Sequence, residues 1–287
     1  MDGKRRGTPY PRRVLLATTT AWTLGQVSPR PQARSAFGGL LRHWRSRRGL
    51  SQLALSLRVE TTTRHLSYLE NGRSRPGRDL VLRVGDALEL PLRDRNELLT
   101  AAGLPPEFPT SELTGPALAP YRGAVLQVIG AMHPFPAFVL DPMFNLEETN
   151  EAGRRLLPPN ATGGTNLIET FLAPGPLRTQ IANFAEVAWS WHARFLRGTA
   201  TLSSPDLDRL RERVEAHLVG VPRPSLDAGG DPVVCPTFRF GETTVRTIGM
   251  TMRFGPSRDV TLEELSVDVL CPRDEEADRF FRSLATS

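Results

Sequence analysis

The residues best equipped for chemistry in this sequence are hydroxyls, amides and arginines clustered between positions 52 and 78. Thr63, Arg64, Ser67 and Tyr68 fall on the outward face of one short helical stretch. Arg64 suits a bidentate contact with a guanine edge, and Thr63 suits a thymine methyl or a base edge. Gln52 and Thr62 stand at the starts of two successive helices, where side chains can bond phosphates. Arg73, Arg75 and Arg78 follow in a loop and would attract a nucleic-acid backbone without reading its sequence. His65, next to Leu66, reads as a packing or flanking residue.

Helices must hold these side chains. Phe37, Leu40, Leu41 and Trp44 line one face of a first helix that Gly49 ends. Ser51 reads as the N-cap of a second helix carrying Leu55 and Ser56 inward. Thr62 caps a third, with Leu66 and Leu69 toward the core and Asn71-Gly72 as its stop. Leu80, Val84, Ala87 and Leu88 give a fourth helix, and residues 94–102 a fifth before Gly103 and Pro105-Pro106. Five short helices with a tight turn between the second and third predict an all-α helix-turn-helix domain over residues 35–104, its third helix entering the major groove of double-stranded DNA.

Charge supports that division. The 287-residue chain is net +5, but residues 1–109 carry 19 basic and 9 acidic side chains, whereas residues 110–287 carry 17 and 22. A basic third joined to an acidic remainder points to a polyanion-binding module attached to a module that binds something else. Residues 1–34, basic and interrupted by Pro9, Pro11, Pro29 and Pro31, read as a disordered N-terminal arm. They imitate a secretory signal only loosely, with no clear small-residue cleavage site. The two cysteines, Cys235 and Cys271, form no CxxC or Cys/His cluster, which argues against a disulfide scaffold or structural zinc and for a reducing, cytoplasmic setting. No apolar run approaches the roughly 18 residues of a membrane helix, so no membrane role is expected.

The proline-rich residues 105–120 read as an interdomain linker, leaving residues 121–287 as a second domain. Its opening helix, Tyr121 to Met132, carries Val125, Val128 and Ile129. Two strands around Asp141-Pro142 follow, and Asn150 caps the next helix. Ile181, Phe184, Ala188, His192 and Phe195 recur at helical spacing, as do Leu207, Leu210, Val214 and Leu218. Three alternating strands close the chain, around Phe238, around Ile248, Met250 and Met252, and around Val267. Two strands, helices and three strands fit an α+β domain whose antiparallel sheet is covered by helices, an arrangement that commonly encloses a small-molecule pocket. Thr261-Leu262-Glu263-Glu264 reads as a capping box.

Gly49-Leu50-Ser51-Gln52 through Arg73-Ser74-Arg75-Pro76 resembles the DNA-binding domain of the lambda-repressor-like, or XRE, regulators. Within them it is most similar to the MmyB-like branch. Two departures stand out: Glu60 where the turn usually has glycine, and Ser56 where a small alanine usually lets the helices approach. A glutamate there must adopt a positive φ or let the turn open. Further MmyB-like segments are residues 134–141, Asn150-Glu151-Ala152, residues 183–188, Phe254-Gly255 and residues 259–265, so the resemblance covers about residues 37–284. It implies a transcription regulator with a PAS-like ligand-binding domain responding to an apolar ligand, with fatty acids the suggested class.

Such a ligand needs an apolar wall and a cation or amide for its head group. Trp189, Phe195, Phe238, Ile248, Met250 and Met252 are the expected wall, and Arg194 and Asn183 the expected head-group partners. The alternative is that the second domain binds protein, or dimerises, without a ligand. Because one helix-turn-helix reads few base pairs, two-fold pairing into a homodimer is expected. No enzyme or cofactor is expected: the five histidines lack metal-ligand spacing, and GxSxG, HExxH, P-loop and GxGxxG motifs are absent.

Overall fold

In a computed structural model of the chain, residues 31–200, 202, 204–224 and 232–286 are described. The expected arm therefore lies outside the described residues up to position 30. Its last four residues do not: α1 spans Pro31–Arg47. Pro31 opens that helix, at the one helical position where a missing N–H costs nothing.

Four more helices follow: α2 (Gln52–Arg58), α3 (Thr63–Glu70), α4 (Arg78–Ala87) and α5 (Leu92–Ala101). As expected, Ser51 Oγ accepts from Ala54 N and Thr62 Oγ1 from His65 N, capping α2 and α3. The core gathers Phe37, Leu41, Leu55, Leu66, Leu69 and Leu98, among others. Gly38 is needed for the closest approach in this domain, since a Cβ there would lie 2.5 Å from the Glu70 carbonyl oxygen and 2.7 Å from that of Leu69.

The second unit is α+β. A 3-10 turn (Pro116–Leu118) leads into α6 (Ala119–Ala131), then β1 (Ala137–Leu140), β2 (Leu146–Thr149), α7 (Glu151–Leu156), α8 (Leu167–Leu172) and α9 (Pro176–Gln180). The long α10 (Phe184–Gly198) and α11 (Pro205–His217) come next, then β3 (Thr237–Phe240), β4 (Thr243–Arg253), α12 (Val260–Glu264), β5 (Ser266–Pro272) and α13 (Glu275–Thr286). The sheet order is β2-β1-β5-β4-β3, every neighbouring pair antiparallel.

Strand pairing decides which side chains share a face. Phe138 lies opposite Asp268, and Thr251 opposite Asp268 in turn, so these face one side, where α7 to α10 and α13 pack. Val139, Val267 and Val269 face the other, against Leu118, Val125 and Ile129. Asn150 joins the parts: its Nδ2 donates to the carbonyls of Ile129 and Phe135, and its Oδ1 accepts from Ala137 N and Gly153 N, so the buried amide is fully bonded.

The residues read as an interdomain linker are docked on the second unit. Val260 N donates to Pro109 O, Ser111 N to Asp259 Oδ2, and Thr261 Oγ1 to Ser111 O, while Leu113 and Leu118 are buried. The capping box is also corrected. Asp259 caps α12, accepting from Thr261 N and Leu262 N, which leaves Glu263 and Glu264 for other partners. Glu263 accepts from Leu92 N at 2.7 Å, and Glu264 receives both Arg93 nitrogens at 2.6 Å. Among the described residues, no helix is long and apolar enough to cross a membrane.

Candidate nucleic-acid interface and ligand cavity

The turn between α2 and α3 is closed by Thr61 N donating to Ser56 O, and Glu60 sits at φ 52°, the left-handed alternative of the two left open above. Ser56 is accommodated by hydrogen bonding: its Oγ donates to Leu53 O at 2.8 Å and lies 3.1 Å from Thr63 Oγ1. Thr63 is thus half-buried at the helix contact. Arg64 is exposed, its Nε donating to Tyr68 Oη at 2.9 Å with the guanidinium 5.4 Å from the Tyr68 ring centroid. This pairing pre-positions Arg64 on the outward face of α3. Ser67 is held by Asn71, whose Nδ2 donates to Ser67 O at 2.8 Å.

Arg73 and Arg75 are exposed in the following loop, and among the described residues their guanidinium groups have no partner. Arg78, by contrast, turns away to Pro105 O and Glu107, so it does not belong with the loop arginines. Gln52 also points inward, its Nε2 donating to Glu70 Oε2 at 2.7 Å. Glu70 is the residue that sequence reasoning missed. Its side chain is 1% exposed and receives Arg45 Nε at 2.5 Å and Arg45 Nη2 at 3.1 Å. Burial alone would raise its pKa, but hydrogen bonds from Arg45 and Gln52 and the charges of Arg45 and Arg42 hold it below the ordinary value. The signal in the sequence was a carboxylate adjoining Leu69 in the buried phase of α3.

In the second unit, a cavity of about 160 Å³ lies on the sheet face covered by α10. Its wall is aromatic and aliphatic, from Phe138, Phe144, Phe171, Trp191, Phe238 and Leu270. At its polar end Arg194 donates twice to Asp268, at 2.5 and 2.8 Å, and stands 5.0 Å from the Phe144 ring centroid. Asp268 Oδ1 also accepts from Thr251 Oγ1 at 2.9 Å. Two of the larger clefts, of about 480 and 490 Å³, lie between the α5 end and the second unit. Their walls carry Arg93, Asp141, Glu147 and Glu264, or Arg197, Arg253 and Glu263, so an apolar molecule fits the smaller cavity better.

A helix-turn-helix domain family matches residues 36–98, and the MmyB-like transcription regulator ligand binding domain matches residues 121–284. The chain belongs to the MmyB-like transcription regulators. No curated protein is similar enough in sequence to match it. Two solved structures are similar to part of it, both of the clp gene regulator ClgR from Corynebacterium glutamicum. One is 28% identical, covering 26% of this chain and 92% of ClgR, and the other 25% identical, covering 37% and 99%, each with a TM-score of 0.23. This MmyB-like chain is therefore a DNA-binding transcription regulator carrying a ligand-binding domain.

Of the residues expected at the ligand, Arg194 and Phe238 border the cavity; Met250 reaches its edge but is exposed and pairs with Val269, on the same side of β4 as Ile248 and Met252. Asn183 does not; its Nδ2 donates to Cys235 O and its Oδ1 accepts from Thr237 N, which anchors the start of β3. Trp189 donates to Pro222 O and lies under Arg223, against α11. Phe195 is buried in that same helical core. Ile248 pairs with Cys271 on the opposite face of the sheet, as Met252 does with Val267, and both are exposed. The alternation in β4 was read correctly, but its apolar side is the uncovered one.

Proposed function

We propose that this MmyB-like regulator binds operator DNA as a homodimer through α3 and that its DNA affinity responds to an apolar small molecule held between α10 and the sheet. Fatty acids are the class suggested by the resemblance. One observation carries the sensing reading: an apolar cavity with a polar end is lined by β5, which continues directly from α12, and α12 grips Leu92 and Arg93 of the DNA-binding domain. An occupant that shifts β5 therefore reaches the helix-turn-helix within four residues, from Asp268 to Glu264.

On DNA, Arg64 is the base-reading residue, with Thr63, Ser67 and Tyr68 beside it, while Arg73, Arg75 and the Thr62 end of α3 meet phosphates. Gln52 supports this surface through Glu70. A cytoplasmic setting fits a regulator of this kind. For the two-fold pairing we assign the uncovered apolar strip of Ile248 and Met252 beside Val128 of α6.

The sensing reading is tested by filling the cavity. Leu270→Trp should change affinity for an operator selected from random DNA by about fivefold or more, the scale of a coupling free energy near 1 kcal/mol. Organic extracts of the native chain should contain a small molecule that extracts of the variant lack. Unchanged DNA affinity and identical extracts would leave the second domain as an interaction module. The pairing is tested by sedimentation: Ile248→Glu should convert a dimer into monomers.

A further inference from the structure

The polar end of the cavity carries no net charge, and that decides what the site accepts. Arg194, the cation facing the cavity, is already taken by both oxygens of Asp268, and Thr251 satisfies a third acceptor position on the same carboxylate. Their side chains are 31% and 19% exposed, so the pair is only partly screened. A ligand carboxylate placed here would stand against Asp268 and share one guanidinium with it, a like-charge approach that disfavours both ions. Asp268 retains acceptor capacity for one further donor. Ser190 also lines the cavity, and its hydroxyl has no hydrogen-bond partner among the described residues. A hydroxyl group can donate to Asp268 and exchange a hydrogen bond with Ser190; a carboxylate can donate to neither.

Size points the same way. The space between α10 and the sheet is half open to the surface and measures about 160 Å³. A cavity of about 150 Å³ accommodates a benzene ring, whereas sites for drug-sized molecules begin near about 300 Å³. Phe171 and Trp191, with ring centroids 5.3 Å apart, and Phe138, Phe144 and Phe238 present ring edges and faces suited to another ring.

We propose that the cavity selects a compact neutral molecule, one substituted ring in size and bearing a hydroxyl, and discriminates against carboxylates. This rests on the sensing reading above but sets aside the fatty acids that the resemblance suggests. The test is calorimetric titration of the full chain at pH 7 with 4-ethylphenol, 4-ethylbenzoate and tetradecanoate. The phenol, neutral at that pH, should bind about tenfold more tightly than either carboxylate. Asp268→Asn frees Arg194 and should invert the order, with 4-ethylbenzoate gaining about tenfold. Ser190→Ala removes only an unbonded hydroxyl, so it keeps the test alive if the first variant fails to fold. It should weaken the phenol by about threefold. Tighter binding of tetradecanoate or 4-ethylbenzoate to the native chain overturns the selectivity and leaves the sensing reading standing. Failure of all three probes to bind the native chain and both variants overturns the two together.

Discussion

Glu60 occupies the left-handed region at φ 52°, where a side chain costs about 1–2 kcal/mol that glycine avoids. Glu60→Gly should therefore stabilise the helix-turn-helix by about 1 kcal/mol, measured as a higher midpoint in denaturant, after allowance for the freedom glycine regains when unfolded. The same substitution removes a negative charge from beside the α3 N-terminus and should strengthen binding to all DNA sequences. Arg64 and Arg75 separate cleanly in a salt titration. Arg64→Ala should relax base preference at one position, whereas Arg75→Ala should weaken every sequence and reduce the salt slope by about one. Equal losses on specific and random DNA for both variants would contradict this division. The strained turn was legible in the sequence because glutamate stood at one defined position. Gln52 and Asn183 were not, because their partners, Glu70 and the Cys235 to Thr237 backbone, are distant in the chain and no local pattern announces them.

At the scale of elements, α1, α2 and α3 are clasped by one buried carboxylate. Removing the charge with Glu70→Gln leaves Arg45 without its ion partner and should cost about 3 kcal/mol in chemical denaturation. The pH dependence has a definite sign. The folded-state pKa of Glu70 lies below its ordinary 4.5, so its contribution is complete above that value and is lost as pH falls through the folded pKa. Acid unfolding of the native domain should thus take up a proton at this site, and the Glu70→Gln variant should show a shallower acid limb. Gly38→Ala should also destabilise, by pushing α1 off the Leu69 and Glu70 carbonyls. The amphipathic helices α1 to α5, α10 and α11 were readable because each shows its buried stripe at helical period. The short α8 and α9, of six and five residues, offer too few turns for a period to register. Chain pattern likewise gave the alternation of β4 but not its polarity, since the side facing Val267 and Cys271 is left uncovered beyond α6.

For the whole molecule, the decisive contacts are those between the halves. Arg93 and Leu92 meet Glu264 and Glu263, and the strap through Pro109 and Ser111 is bonded to residues 259–261. Composition alone described this strap as a tether, because prolines say nothing about which carbonyls they leave free to dock. Glu264→Ala should loosen it, raising amide hydrogen exchange at Ser111 and Val260 while exchange within the α3 core stays unchanged. Exchange rising equally in both places would mean the substitution had unfolded the domain instead. A docked strap also bears on the DNA itself. Two reading heads on loose tethers tolerate operators whose half-sites are moved apart, whereas heads fixed to a paired body act as calipers. One inserted base pair turns the second half-site by about one-tenth of a helical turn, so a half-turn insertion should abolish paired binding and a full turn should not restore it.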